Sequence, residues 1–297
     1  MQNLGKSFYW GPYPAGSNNE QGVNQWNWMD VSSWLINNPK AETPFFNIFP
    51  AHGSHVGDMG WAQMPELYRA LAQSKRPFTA YYGQGGVRSS LYRDLAPKIQ
   101  KNQSLPAFRN GSLDDIPWPD NTRVGAGGAP SDKTLGLKEN GMINGWLYWE
   151  PETIVDAGNL WEMTFFLPNN PKSGVSAPKD TATADMTPRK LQAFQTLPNK
   201  QYFWKNVQGG SIVQSGTVTS DENGFITIPS LIITKSKNRV SISKTNDFPP
   251  PPQDIIAPVL SMGSPSGTLP SGTVKTNLTL STNENATCKY STTANTA

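Results

Sequence analysis

The sequence predicts an α/β segment followed by an all-β sandwich and the opening of a second sandwich, and three observations carry that reading. Residues 43–86 read as strand, loop, helix, strand. From about residue 104 apolar residues alternate in short runs between Gly, Pro, Asn and Asp turns, the period of strands that bury one face. The stretch "NDFPPPPQDIIAP" at 246–258 is a stiff polyproline spacer. The expected organisation is therefore an α/β segment over 1–103, a β-sandwich over 104–247, a linker over 248–258 and a truncated sandwich over 259–297.

Taken in order, "NQWNWMDVSSWLINN" at 24–38 spaces Trp26, Met29, Trp34 and Leu35 as one short amphipathic helix, stopped by Asn37, Asn38 and Pro39. "TPFFNIFPAHG" reads as a buried strand. "WAQMPELYRALAQS" places Met64, Leu67, Tyr68 and Leu71 on one helical face, and "RPFTAYYGQGG" reads as a second strand. A helix between two strands implies parallel pairing by a right-handed crossover, with functional groups on the loops after the strand ends. Farther on, "LWEMTFFL" sets Trp161, Met163, Phe165 and Leu167 on one face, as a sandwich strand requires. Residues 119–141 are Gly-rich with few core residues and read as a long surface loop. The last forty residues hold about three strands, too few to bury a core alone.

Composition narrows the function. A net charge of +3 without a block of like sign is no footprint for nucleic acid. Charged residues make up only 16% while Gly, Pro, Asn, Ser and Thr abound, as in loop-rich modules outside the cell, so an extracellular or periplasmic location is expected. No apolar stretch approaches membrane-spanning length, and the first residues lack the basic and apolar regions of a signal peptide, so an export signal is expected upstream. The single cysteine, Cys288, makes neither an internal disulfide nor a thiolate metal cluster.

Both histidines stand in "PAHGSHVGDMGW" at 50–61. His52 and His55 lack a third imidazole, so no metal site and no cofactor are expected. As part of a hydrolytic triad, Asp58 is the candidate orienting acid, with His55 and His52 beside it on the loop after the first strand. Asp58 equally suits a helix cap, since a carboxylate accepts the orphan amides of a first turn, and His52 suits a backbone hydrogen bond in a tight loop. No G-x-S-x-G occurs in the chain, so the strained turn that exposes a nucleophilic serine is not encoded.

The run "ETPFFNIFPAHGSHVGDMGWAQMPELYRALAQSKRPFTAYYGQGG", followed by "LPAFRNGSLDD", "INGWLYWEPETIVD", "WEMTFFL" and "MTPRKLQAFQ", resembles the C-terminal part of secreted bacterial α/β-hydrolase-like proteins of the esterase or serine-peptidase kind. That resemblance implies ester or peptide bond hydrolysis in a larger parent, with the nucleophile upstream. It also implies a histidine after "GQGG" and an acid close to the "HG" pair; Val87 and Val56 stand at those places. The segment is therefore expected to be catalytically incomplete. "SPSGTLP" and "TNENATCKYS" are similar to the start of fibronectin III-like or chitobiase C-terminal-like sandwiches.

The alternative is a non-catalytic cell-surface or carbohydrate-associated binding module whose partner is a polysaccharide or other surface polymer. Its ligand-binding candidates are Trp146 and Tyr148 of "GWLYWE", which share one face of a strand with Leu147 and Trp149 on the other, so that one aromatic face should be outside. The carboxylates Asp114, Asp115 and Asp120, and Glu150, Glu152 and Asp156, sit in turns and are of the type that holds calcium, with a solvated turn as the default.

Overall fold

The computed structural model describes residues 16–28, 30–48, 64–82, 98–116, 141–170, 175–248, 258–282 and 289. The first amphipathic stretch forms two helices, α1 (Gln25–Trp28) and α2 (Val31–Asn37), where one was expected. Asp30 divides them, because its Oδ1 accepts the amide of Ser33 at 3.1 Å and caps α2. Asn38 ends α2 by donating its own amide to the Trp34 carbonyl at 3.0 Å. Leu35 is the buried residue of α2, while Trp34 is exposed.

Strand β1 (Phe46–Ile48) pairs in parallel with β2 (Phe78–Tyr82), Phe46 opposite Phe78 and Ile48 opposite Ala80. Helix α3 (Met64–Gln73) runs between them, burying Tyr68, Ala70 and Leu71 in a small core with Leu35, Phe78 and Ala80. β1 is shorter than expected and only partly buried.

The unit does not grow into a hydrolase sheet. The third strand of this sheet is β4 (Gly141–Ile143), which joins β2 antiparallel with Tyr81 opposite Met142. An α/β-hydrolase needs an open, mostly parallel sheet with helices on both faces. Among the described residues a single parallel pair sits with antiparallel sheets, and the helices have four, seven and ten residues. The expected α/β-hydrolase-like class and the resemblance that suggested it are thus corrected: the chain is mostly β.

The remaining strands make a sandwich. One sheet has the order β11-β10-β13-β6-β5, from β5 (Tyr148–Asp156), β6 (Leu160–Phe166), β10 (Gln201–Gln208), β11 (Ser211–Thr219) and β13 (Asn238–Ser243). The other is β12-β9-β3, from β3 (Leu105–Arg109), β9 (Thr181–Arg189) and β12 (Ile228–Thr234). A short pair, β7 (Asn169–Asn170) with β8 (Val175–Ser176), lies outside both. Trp161, Met163 and Phe165 from the larger sheet share one core with Ala184, Met186 and Ile233 from the smaller. The face expected for "LWEMTFFL" is fully buried, Leu167 included. Burying each such large side chain contributes roughly 1.5–3 kcal/mol.

The boundary expected near residue 103 is not a break in packing. Arg189, at the end of β9, has no exposed side-chain surface. Its Nη1 donates to the carbonyls of Ser74 and Lys75, both at 2.8 Å, and its Nη2 donates to that of Pro39 at 2.9 Å. Glu42 supplies the opposite charge at 3.3 Å, and the Phe225 ring lies 4.2 Å from the guanidinium carbon. Lys75 forms a second tie, to Asp221 at 2.7 Å. The chain separates instead into compact units 1–248 and 249–297. In the second, β14 (Leu260–Ser264) and β15 (Thr279–Thr282) form an antiparallel pair in which β14 is exposed throughout. Among the described residues no helix is long and apolar enough to cross a membrane.

Candidate functional site

Among the described residues an open cleft of about 320 Å³ lies where the mixed sheet meets the loop after β3. Tyr68, Ala72, Phe78 and Ile143 make its apolar wall, with Tyr68 and Phe78 stacked at 6.5 Å between ring centroids. Arg109, Asn110, Asp114 and Asp115 make its polar wall.

The local sequence explains why these polar groups gather. β3 ends at Arg109, and "NGSLDD" reverses the chain with Asn110 and Asp115 at positive φ, 54° and 70°. Asp114 closes the turn on itself: its amide donates to the Gly111 carbonyl at 2.9 Å and its Oδ2 accepts the Gly111 amide at 3.1 Å. Its Oδ1 accepts the Asn144 amide at 2.7 Å. Asn144 in turn donates its Nδ2 to the carbonyls of Phe78 and Phe108, fastening β2 to β3. A Cβ at position 111 would lie 2.8 Å from Asp114 Oδ1, so a larger residue there must displace that carboxyl group.

Electrostatics distinguish Asp114 from an ordinary turn residue. Burial pushes the Asp114 carboxyl up to about 7, and the neighbouring Asp115 charge adds to the rise, against the pull of the two amides. Arg109 Nε faces Asp185 Oδ2 at 3.4 Å, outside hydrogen-bond geometry, and is buried with no hydrogen-bond partner. Asn110 Nδ2 donates to the same Asp185 oxygen at 2.7 Å. The cleft is thus lined by a guanidinium side chain, an amide, two carboxyl groups and apolar side chains, a combination that suits a compact ligand with both polar and apolar faces.

His52, His55 and Asp58, with Val56 and Val87, lie outside the described residues. Trp146 and Tyr148 are 2% and 9% exposed, and Leu147 and Trp149 on the opposite face are buried as well. The expected outward aromatic face is covered: Trp146 Nε1 donates to the Ile116 carbonyl at 3.1 Å, Tyr148 packs on Phe166, and Trp149 meets Phe45. The second carboxylate group is also engaged. Glu150 pairs with Lys237 at 2.6 Å and Glu152 with Lys98 at 3.0 Å, while Asp156 accepts the amides of Gln192, Ala193 and Phe194. Asp120 lies outside the described residues, and among those described no three His, Cys, Asp or Glu gather to hold a metal ion.

The sequence pattern marks Asp114 and Asp115 only as members of a solvated turn and gives no indication of the cleft. The available signal is "NGSLDD" itself, a glycine three residues before a carboxylate that can turn back on it. Fold and cleft together define a mostly β protein with a polar and apolar cleft at the edge of its sandwich. No family model, curated protein or solved structure matches the chain.

Proposed function

We propose that the chain is a non-catalytic binding module of an exported, modular protein, and that it takes a polyhydroxylated ligand, a saccharide unit of a surface polymer, in this cleft. The observation that carries the reading is the mixed lining: planar polar groups of Arg109, Asn110 and Asp115 border the same cleft as the apolar side chains of Tyr68 and Phe78. Sugar hydroxyls both donate and accept, matching a guanidinium beside carboxylates, and the C–H face of a pyranose suits an apolar wall. About 320 Å³ is at the small end for ligand sites and favours one terminal unit over a long chain segment. The loop-rich, weakly charged composition supports a place outside the cell.

Titration calorimetry of the full chain with glucose, galactose, N-acetylglucosamine and their short oligomers tests this. At least one should bind, and Arg109→Ala should weaken that binding about ten-fold or more, the loss expected when a charged hydrogen bond is removed. A thermal midpoint for the variant near that of the parent shows that the ion pair to Asp185 is not what the binding measures. Absence of binding across the panel, or equal binding by Arg109→Ala, removes the reading.

A further inference from the structure

The charges at the cleft do not cancel, and the excess is acidic. Among the described residues that line it, the charged side chains are Arg109, Asp114 and Asp115. Arg109 already has an opposite charge outside the lining, in Asp185, whose Oδ2 stands 3.4 Å from its Nε. One guanidinium is thus set among three carboxyl groups. The influences on Asp114 are its burial, the amides of Asn144 and Gly111, and the charge of Asp115, with no cation among them. Burial disfavours a carboxylate, and an opposite charge brought close to it relieves that cost.

The same corner holds an unused acceptor. Asn144, whose amide donates to Asp114 and whose chain neighbour Ile143 lines the cleft, is 1% exposed, and its Oδ1 is buried without a hydrogen-bond partner. Carboxylates add acceptors only. A ligand group suited to these surroundings brings positive charge and several N–H donors together, as an ammonium does with three donors and no acceptor. A hydroxyl brings one donor and no charge, and a ligand carboxylate adds like charge to the excess. Ala72 and Ile143, both partly exposed, supply apolar surface beside these groups.

We propose, resting on the saccharide reading above, that the ligand of this cleft is an amino sugar whose ammonium group sits against Asp114 and Asp115 while its ring lies along the apolar lining. Titration calorimetry of the full chain near neutral pH compares glucosamine with glucose, which has a hydroxyl at the same carbon, with glucuronate, which carries a carboxylate, and with ethanolamine, which has the ammonium without the ring. Glucosamine should bind about ten-fold tighter than glucose, the gain expected from charged hydrogen bonds. Added salt should weaken glucosamine more than glucose. Asp115→Asn keeps the shape and removes the charge, and should bring glucosamine down to the level of glucose; a thermal midpoint near that of the parent shows that the variant folds. Glucose or glucuronate bound as tightly as glucosamine, or a preference undiminished in Asp115→Asn, overturns the ammonium seat and leaves the saccharide reading standing. Ethanolamine bound as tightly as glucosamine takes the ring out of recognition and overturns the saccharide reading, and absence of binding by all four overturns both.

Discussion

The most consequential single residue is Asp114, whose carboxyl closes a loop and lines the cleft at once. Folded, it holds its proton up to about 7, whereas an ordinary carboxyl releases it near 3.8. Between those values the folded chain binds more protons than the unfolded one, so this group makes stability fall as pH rises through the window and adds no slope outside it. Urea midpoints measured across the window should show that decline, and Asp114→Asn, which cannot titrate, should flatten it. A slope that persists in Asp114→Asn assigns the effect to another group. Asp114 could not be read from the sequence as a perturbed residue, because its state depends on Asn144, thirty positions away. Trp146 and Tyr148 teach the same lesson in reverse: Trp146 lies in the turn before β5, which begins only at Tyr148, and Phe45, Ile116 and Phe166 pack on or bond to the aromatic residues of this stretch.

Elements whose pattern is local were legible, and those that depend on distant partners were not. β6 shows its period-two face plainly, and the four inward residues of "LWEMTFFL" are all buried. The β1-α3-β2 unit was equally legible, because the helical run between two apolar strands leaves parallel pairing as the short connection. The third strand of that sheet was not, since β4 reaches β2 across a long stretch of chain, and nothing near residue 80 announces an antiparallel neighbour. The corner after β4 is also tightly specified. A Cβ on Gly145 would lie 2.6 Å from the sulfur of Met142, which is itself fully buried. Gly145→Ala should therefore cost about 1–3 kcal/mol by overpacking, read as a lowered urea midpoint with unchanged m-value. A neutral result would show that Met142 has room to turn aside.

At the scale of the whole molecule, the α/β segment and the sandwich expected as neighbours form one compact unit. The residues that unite them are far apart in sequence: Arg189 reaches the carbonyls of Pro39, Ser74 and Lys75, and Lys75 reaches Asp221. Such ties carry no local sequence pattern, which is why composition shifts near residue 104 read as a domain boundary. Cutting one of them leaves a buried guanidinium or carbonyls without partners, a cost that falls on both halves together. Cooperative unfolding is the consequence. Hydrogen exchange followed by mass spectrometry on the full chain under rising urea tests this most directly. Peptides covering 64–82 and 160–166 should lose protection at the same urea concentration. Loss of protection in 64–82 at clearly lower urea, with 160–166 still closed, would contradict a single unit and restore two independent domains.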